Sequence, residues 1–185
     1  MIRPRVRAFT PLLVAGLLVV TGGTVVAAPG FGGWRFGMST QEVKAVKRCT
    51  GYAPVATTGG LECKGFAFLG QKLTVSFVFA AGKLAKIQVW VYEGTSEGTA
   101  AKQLKRLFDH LKKTAGPIES PSLKDPGAMT EAQLLGEIRK LKASGVNPAK
   151  LQFKPRKNPA DHFAFGSMIA SATGLYVFLY FQSPR

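Results

Sequence analysis

From residue 61 to residue 92 the side chains switch between two classes at nearly every position, and that alternation limits the fold more than any other feature. Leu73, Val75, Phe77 and Phe79 recur with a period of two, as do Ile87, Val89 and Val91 against Lys86, Gln88, Trp90 and Tyr92. Successive side chains of a strand point to opposite faces, so the pattern predicts strands over 61–68, 73–79 and 84–92. The turn Ala81-Gly82-Lys83 makes the last two neighbours in an antiparallel meander. The alternation returns downstream. A short strand is expected over 151–154, flanked by Pro155, and 163–171 with 175–181 reads as a hairpin closed near Thr173-Gly174. Trp90 and Tyr92 share the set opposite the aliphatic one. Large aromatics there are candidate partner contacts, and burial under a helix accounts for them equally well.

Three helices separate these strands. Ser39 followed by Glu42 is a capping box, and Met38 can pack on Val43 as a hydrophobic staple, so a helix is expected from Ser39 to about residue 48. A second is expected over 96–115, with Ala100, Leu104, Leu107, Phe108 and Leu111 inward and Gly116-Pro117 as the stop. Residues 117–127 contain three prolines and no periodicity and read as a loop. A third helix starts at Thr130, with Gln133 as its capping partner, and gathers Leu134, Leu135, Ile138 and Leu141 before Gly145. The expectation is an α+β fold, helices packed on an antiparallel β-meander, in one domain over 29–185. Its halves, 30–95 and 96–185, rhyme. Met38-Ser39 with Glu42-Val43 answers Met129-Thr130 with Gln133-Leu134, and Phe66-Ala67-Phe68 answers Phe163-Ala164-Phe165. Two pseudo-repeated α-β units would leave this trace, although the landmarks are 28 residues apart in one half and 34 in the other.

Ahead of this domain, residues 1–28 carry the pattern of a cleavable signal peptide. Arg3, Arg5 and Arg7 precede a run from residue 12 to residue 26 without charge, and Val25-Val26-Ala27-Ala28 offers small residues for cleavage, preferably after Ala27. The apolar run falls short of the roughly 20 residues a helix needs to cross a bilayer. No cysteine lies near the cut to be lipidated. An exported protein, periplasmic or secreted and without a transmembrane anchor after cleavage, is therefore expected. Oxidising surroundings would join Cys49 and Cys63, and closing that loop is worth roughly 3 kcal/mol on a chain-entropy estimate. The net charge of +15 falls to +12 once the three arginines of residues 1–28 are removed. Outside the cytoplasm that excess points to anionic lipid headgroups or acidic glycans and not to nucleic acid. Lys150, Lys154, Arg156 and Lys157 form the densest basic run, a candidate anionic contact that also reads as a solvated strand end.

Catalytic signatures are missing from the sequence. His110 sits in a basic helix and reads as solvated; His162 follows Asp161 at a strand start; neither has metal-ligand spacing around it. Ser167, in Phe165-Gly166-Ser167-Met168, lacks the strand-to-helix elbow of a hydrolase nucleophile. The ten acidic residues are scattered, and glycines 30–37 lead to no phosphate-binding Lys-Ser/Thr. No cofactor is expected.

The stretch from Trp34 to Val46, a Gly-Met-Ser-x-x-Glu-Val helix followed by a meander with its Gly82-Lys83-Leu84 turn and Ile87, resembles small bacterial envelope proteins. It is similar to the SmpA/OmlA outer-membrane assembly lipoproteins and to the β-lactamase-inhibitor-protein fold over residues 34–92. It departs from the lipoproteins in lacking the lipidation cysteine and in having a second half. The resemblance implies a helical piece on an antiparallel sheet and a role in binding proteins; it assigns no functional residue. The expected function is that of a non-enzymatic envelope protein binding another macromolecule, an envelope protein or an anionic cell-surface polymer. A basic module for anionic glycans or lipid headgroups is the first alternative, and an enzyme with an unrecognised site the second.

Overall fold

The computed structural model describes residues 30–56, 58–157 and 163–183. The signal-peptide assignment, and His162 with Asp161, lie outside these residues. The fold is α+β: one eight-stranded antiparallel sheet and three helices. In chain order the elements are α1 (Thr40–Ala45), β1 (Gly51–Val55), β2 (Gly60–Phe68), β3 (Gln71–Ala80), β4 (Lys83–Gly94), α2 (Glu97–Ala115), β5 (Ile118–Glu119), α3 (Glu131–Ala143), β6 (Ala149–Pro155), β7 (Phe163–Ser171) and β8 (Gly174–Gln182). Across the sheet the order is β1-β2-β3-β4-β8-β7-β6-β5. Residues 30–95 thus supply four consecutive strands and residues 96–185 the other four, and the halves meet where β4 pairs with β8.

Both capping boxes form. Ser39 Oγ accepts from the Glu42 amide, and Glu42 Oε2 accepts from the Ser39 amide at 2.7 Å. Thr130 and Gln133 exchange the same pair of bonds at the start of α3. The first helix ends sooner than its sequence predicts, at Ala45 instead of residue 48. The Tyr52 hydroxyl donates to the Val46 carbonyl at 2.7 Å and accepts from the Trp34 indole N–H at 3.1 Å. That relay turns Val46 into extended backbone, and the Cys49–Cys63 disulfide then anchors the chain to β2. Strand β1 follows. It contains Gly51 and Pro54, which is why it escapes a sequence reading, and it is held by its pairing with β2. In the loop 117–127 the structure adds the two-residue β5, paired with β6, and the start of a 3-10 turn over Pro126–Ala128.

One buried cluster unites the alternate side chains of β2, β3, β4, β6, β7 and β8 with Trp34, Phe36 and Val43, with Leu104, Leu107 and Phe108 of α2, and with Leu134 and Ile138 of α3. Phe108 meets Phe153 edge to face with ring centroids 4.7 Å apart. Phe153 is accommodated because its partner across the β6–β7 ladder is Gly166; a Cβ at Gly166 would collide with the ring. Gly166→Ala should therefore destabilise the fold by about 1–3 kcal/mol through overpacking, read as a lower denaturation midpoint. Combining it with Phe153→Leu should restore part of the loss, and undiminished stability of the single variant would show that the ring does not occupy that gap.

Candidate functional site

The sheet's other face is defined by ladder register, because residues directly opposite in antiparallel strands project to the same side. One row runs Thr74, Trp90, Phe178, Ser167, Gln152, and the next runs Glu62, Ser76, Gln88, Tyr180, Phe165. A third joins Glu93, Tyr176, Ile169 and Lys150, and a fourth Val78, Lys86 and Gln182. The aromatics of these rows lie outside the buried core cluster. They contact one another instead. Trp90 meets Phe178 edge to face at 4.7 Å, Phe178 lies between Tyr176 and Tyr180 at 6.1 and 5.8 Å, and Tyr180 stacks on Phe165 at 4.7 Å. Phe178 is buried by this company, while Trp90, Tyr176, Tyr180 and Phe165 remain half-buried. The Trp90 indole N–H donates to Ser76 Oγ at 2.9 Å, and Lys86 Nζ sits 4.3 Å from the centre of the Tyr180 ring.

Trp90 and Tyr92 are not on one face, contrary to the strict alternation read from the sequence. The β4–β8 register shifts between them, so Trp90 opposes Phe178 whereas Tyr92 opposes Val177, a core residue. This is a β-bulge at Val91, which turns two successive side chains to the same side. The Val91 carbonyl is 3.5 Å from the Gln71 side-chain amide, which also donates to buried Gln103 on α2 at 3.0 Å. Tyr92 consequently points to the junction of β4 with α2. Its hydroxyl accepts from the Ser96 amide at 3.0 Å and donates to the Ser96 carbonyl at 3.1 Å, and Ser96 caps α2 through the Thr99 amide. Trp90 belongs to the aromatic face; Tyr92 fixes the start of a helix.

The basic run also divides. Lys150 projects from the aromatic face beside Ile169, and Lys154 forms an ion pair with Glu119 at 3.1 Å. Arg156 and Lys157 are exposed beyond the end of β6, where the Arg156 amide donates to the Pro117 carbonyl. On α2, Lys102, Arg106 and Lys113, four and eleven residues on from the first, share one exposed ridge with Asp109, which is paired with Lys105. His110, expected to be solvated, instead packs edge to face on Phe68 at 4.9 Å. Among the described residues no three His, Cys, Asp or Glu side chains converge as a metal site would require.

Tyr176, Phe178, Tyr180 and Phe165 are the face residues that sequence reasoning passed over. Their signal was present in Leu175–Phe181, where one alternate set is Leu175, Val177, Leu179 and the other is wholly aromatic.

Residues 31–133, more than half of the chain, match a family model whose description reads "Uncharacterised protein". The chain belongs to that family. The match takes in Lys86 and Trp90 and stops short of β7 and β8, which carry the other rings. No curated protein and no solved structure matches the chain.

Two outcomes follow from this geometry. Tyr92→Phe should cost about 1 kcal/mol, a typical net hydrogen-bond contribution, and should speed hydrogen exchange of the Ser96 amide, whereas Trp90→Phe should leave that exchange unchanged. His110 gives a pH dependence. Burial first, and Lys113 second, hold its imidazole below the ordinary value. The unfolded chain then binds the proton more tightly than the folded one, so stability should decline as pH falls below about 6.5. His110→Gln should flatten that part of a denaturation-against-pH profile; an unchanged profile would assign the slope to other groups.

Proposed function

We propose that this chain is an exported binding protein without enzymatic activity, which meets another envelope macromolecule through the aromatic face of its sheet. The observation carrying this reading is that five rings stand together on a face outside the core cluster, where an antiparallel sheet ordinarily presents polar side chains to water. Apolar groups gathered on such a face, rimmed by Ser76, Gln88 and Gln152, have the composition of an interaction surface. Export to the periplasm or beyond fits the Cys49–Cys63 bond, which persists where thiols are oxidised. Among the described residues no helix is long and apolar enough to cross a membrane.

In this reading the helices lie over the opposite face of the meander, and each half is one α-β unit. The four-plus-four strand order and the two capping boxes support it. The Phe-Ala-Phe runs do not, since they fall in β2 and β7, at unequal distances from the central pair. Likeness to the outer-membrane assembly lipoproteins and the β-lactamase-inhibitor fold belongs to the same proposal.

A second reading, a basic module for anionic glycans or lipid headgroups, is favoured by the exposed ridge of Lys102, Arg106 and Lys113. Photo-crosslinking in the producing cell separates the two. A photoreactive residue in place of Gln88 should yield a discrete protein adduct, lost on Trp90→Ala, while one in place of Lys102 should not. Adducts from position 102 alone, with salt-sensitive retention on an anionic glycan matrix, would transfer the function to the helical ridge.

A further inference from the structure

Lys86 is a cation in an aromatic setting. Its side chain is half-buried, its cross-strand neighbours Val78 and Gln182 are uncharged, and its ammonium lies over the Tyr180 ring. Burial pulls that ammonium below the ordinary lysine value. Among the described residues it has no ion pair; Glu97, Asp109, Glu119 and Glu137 are engaged with Arg139 and Lys142, Lys105, Lys154 and Lys140 respectively. A partly desolvated cation without an anion is unfavourable, and a ring face compensates it only in part.

Around Lys86 the face offers a positive charge and neutral hydrogen-bonding groups on Ser76, Gln88 and Gln182, while the acidic residues of the same face stand in other rows, Glu62 opposite Ser76 and Glu93 opposite Tyr176.

We propose that this face receives a protein partner which places an aspartate or glutamate carboxylate beside Lys86, with Tyr180 and the adjoining rings excluding water from the pair. The proposal rests on the protein-binding reading above and specifies the chemistry of the partner. Charge complementarity excludes the chain's own leader as occupant, because residues 1–29 contain three arginines and no acidic residue. A sugar stacked on Tyr180 is disfavoured, because that ring is stacked on Phe165 and covered by Lys86.

The test is selection of a phage-displayed random peptide library on the oxidised protein as its producing cell processes it. Peptides enriched on the natural sequence should carry Asp or Glu among apolar residues, and Lys86→Glu should enrich Lys or Arg instead. Acid-bearing peptides should bind Lys86→Met roughly tenfold or more weakly, the scale of a desolvated charge pair, while Lys86→Arg keeps the preference and confirms the fold. Acidic peptides that ignore Lys86→Met would overturn the proposal and leave a protein-binding face. If no selected peptide depends on Trp90, the protein-binding reading falls as well. Two further results would overturn the proposal: a Lys86 ammonium pKa that drops in Asp161→Asn, revealing an internal counter-ion, or self-association abolished by Lys86→Glu, revealing a second copy as occupant.

Discussion

The pairing of β4 with β8 is the contact on which the rest of the structure depends, because it is where the two halves of the chain become one sheet. Its register sets Ile87 against Phe181 and Val89 against Leu179, so the apolar sets of both halves fall on one side. A slip by one residue would turn the whole of β8 over and expose that set to water. The aliphatic alternates of Leu175–Phe181 make such a slip costly, and the register is correspondingly well specified. The bulge at Val91 applies the same parity rule at one point, leaving Trp90 on the outer face and bringing Tyr92 to the start of α2. A local irregularity in one ladder thereby determines how the first half hands the chain to the helix.

The outer aromatic face is a consequence of that register too. Its rings come from three strands, Trp90 from β4 and, more than seventy residues on, Phe165 from β7 with Tyr176, Phe178 and Tyr180 from β8. None of these strands would gather them alone. Once assembled, the rings bury one another enough that Phe178 is 5 % exposed outside the main core, while the other four stay half-buried. Mutual stacking also decides what the face suits. Rings whose faces are occupied by other rings are poor platforms for sugars or bases.

Local chemistry made much of the secondary structure legible. A capping box needs only four consecutive residues, and both Ser39 with Glu42 and Thr130 with Gln133 formed where their spacing placed them. Six strands followed from a period of two, since burial of one face imposes it. Elements whose stability is borrowed from distant residues were not legible. Strand β1, with its glycine and proline, exists because β2 and the disulfide hold it; β5 exists because β6 offers an edge; and α1 stops early because the Tyr52 hydroxyl, itself held by the Trp34 indole, claims the Val46 carbonyl.

By itself the sequence determined which residues could be helix, which could be strand, and that one set of alternates must be buried, because those properties depend on neighbours a few positions away. Only the tertiary structure decided which face each aromatic occupies, which lysine lies over an aromatic ring, and that Gly166 is the gap for Phe153. Those facts are properties of strand register and of contacts between segments tens of residues apart. No window of consecutive residues contains them, because the ladder that sets parity at Trp90 is completed only by residues 175–182.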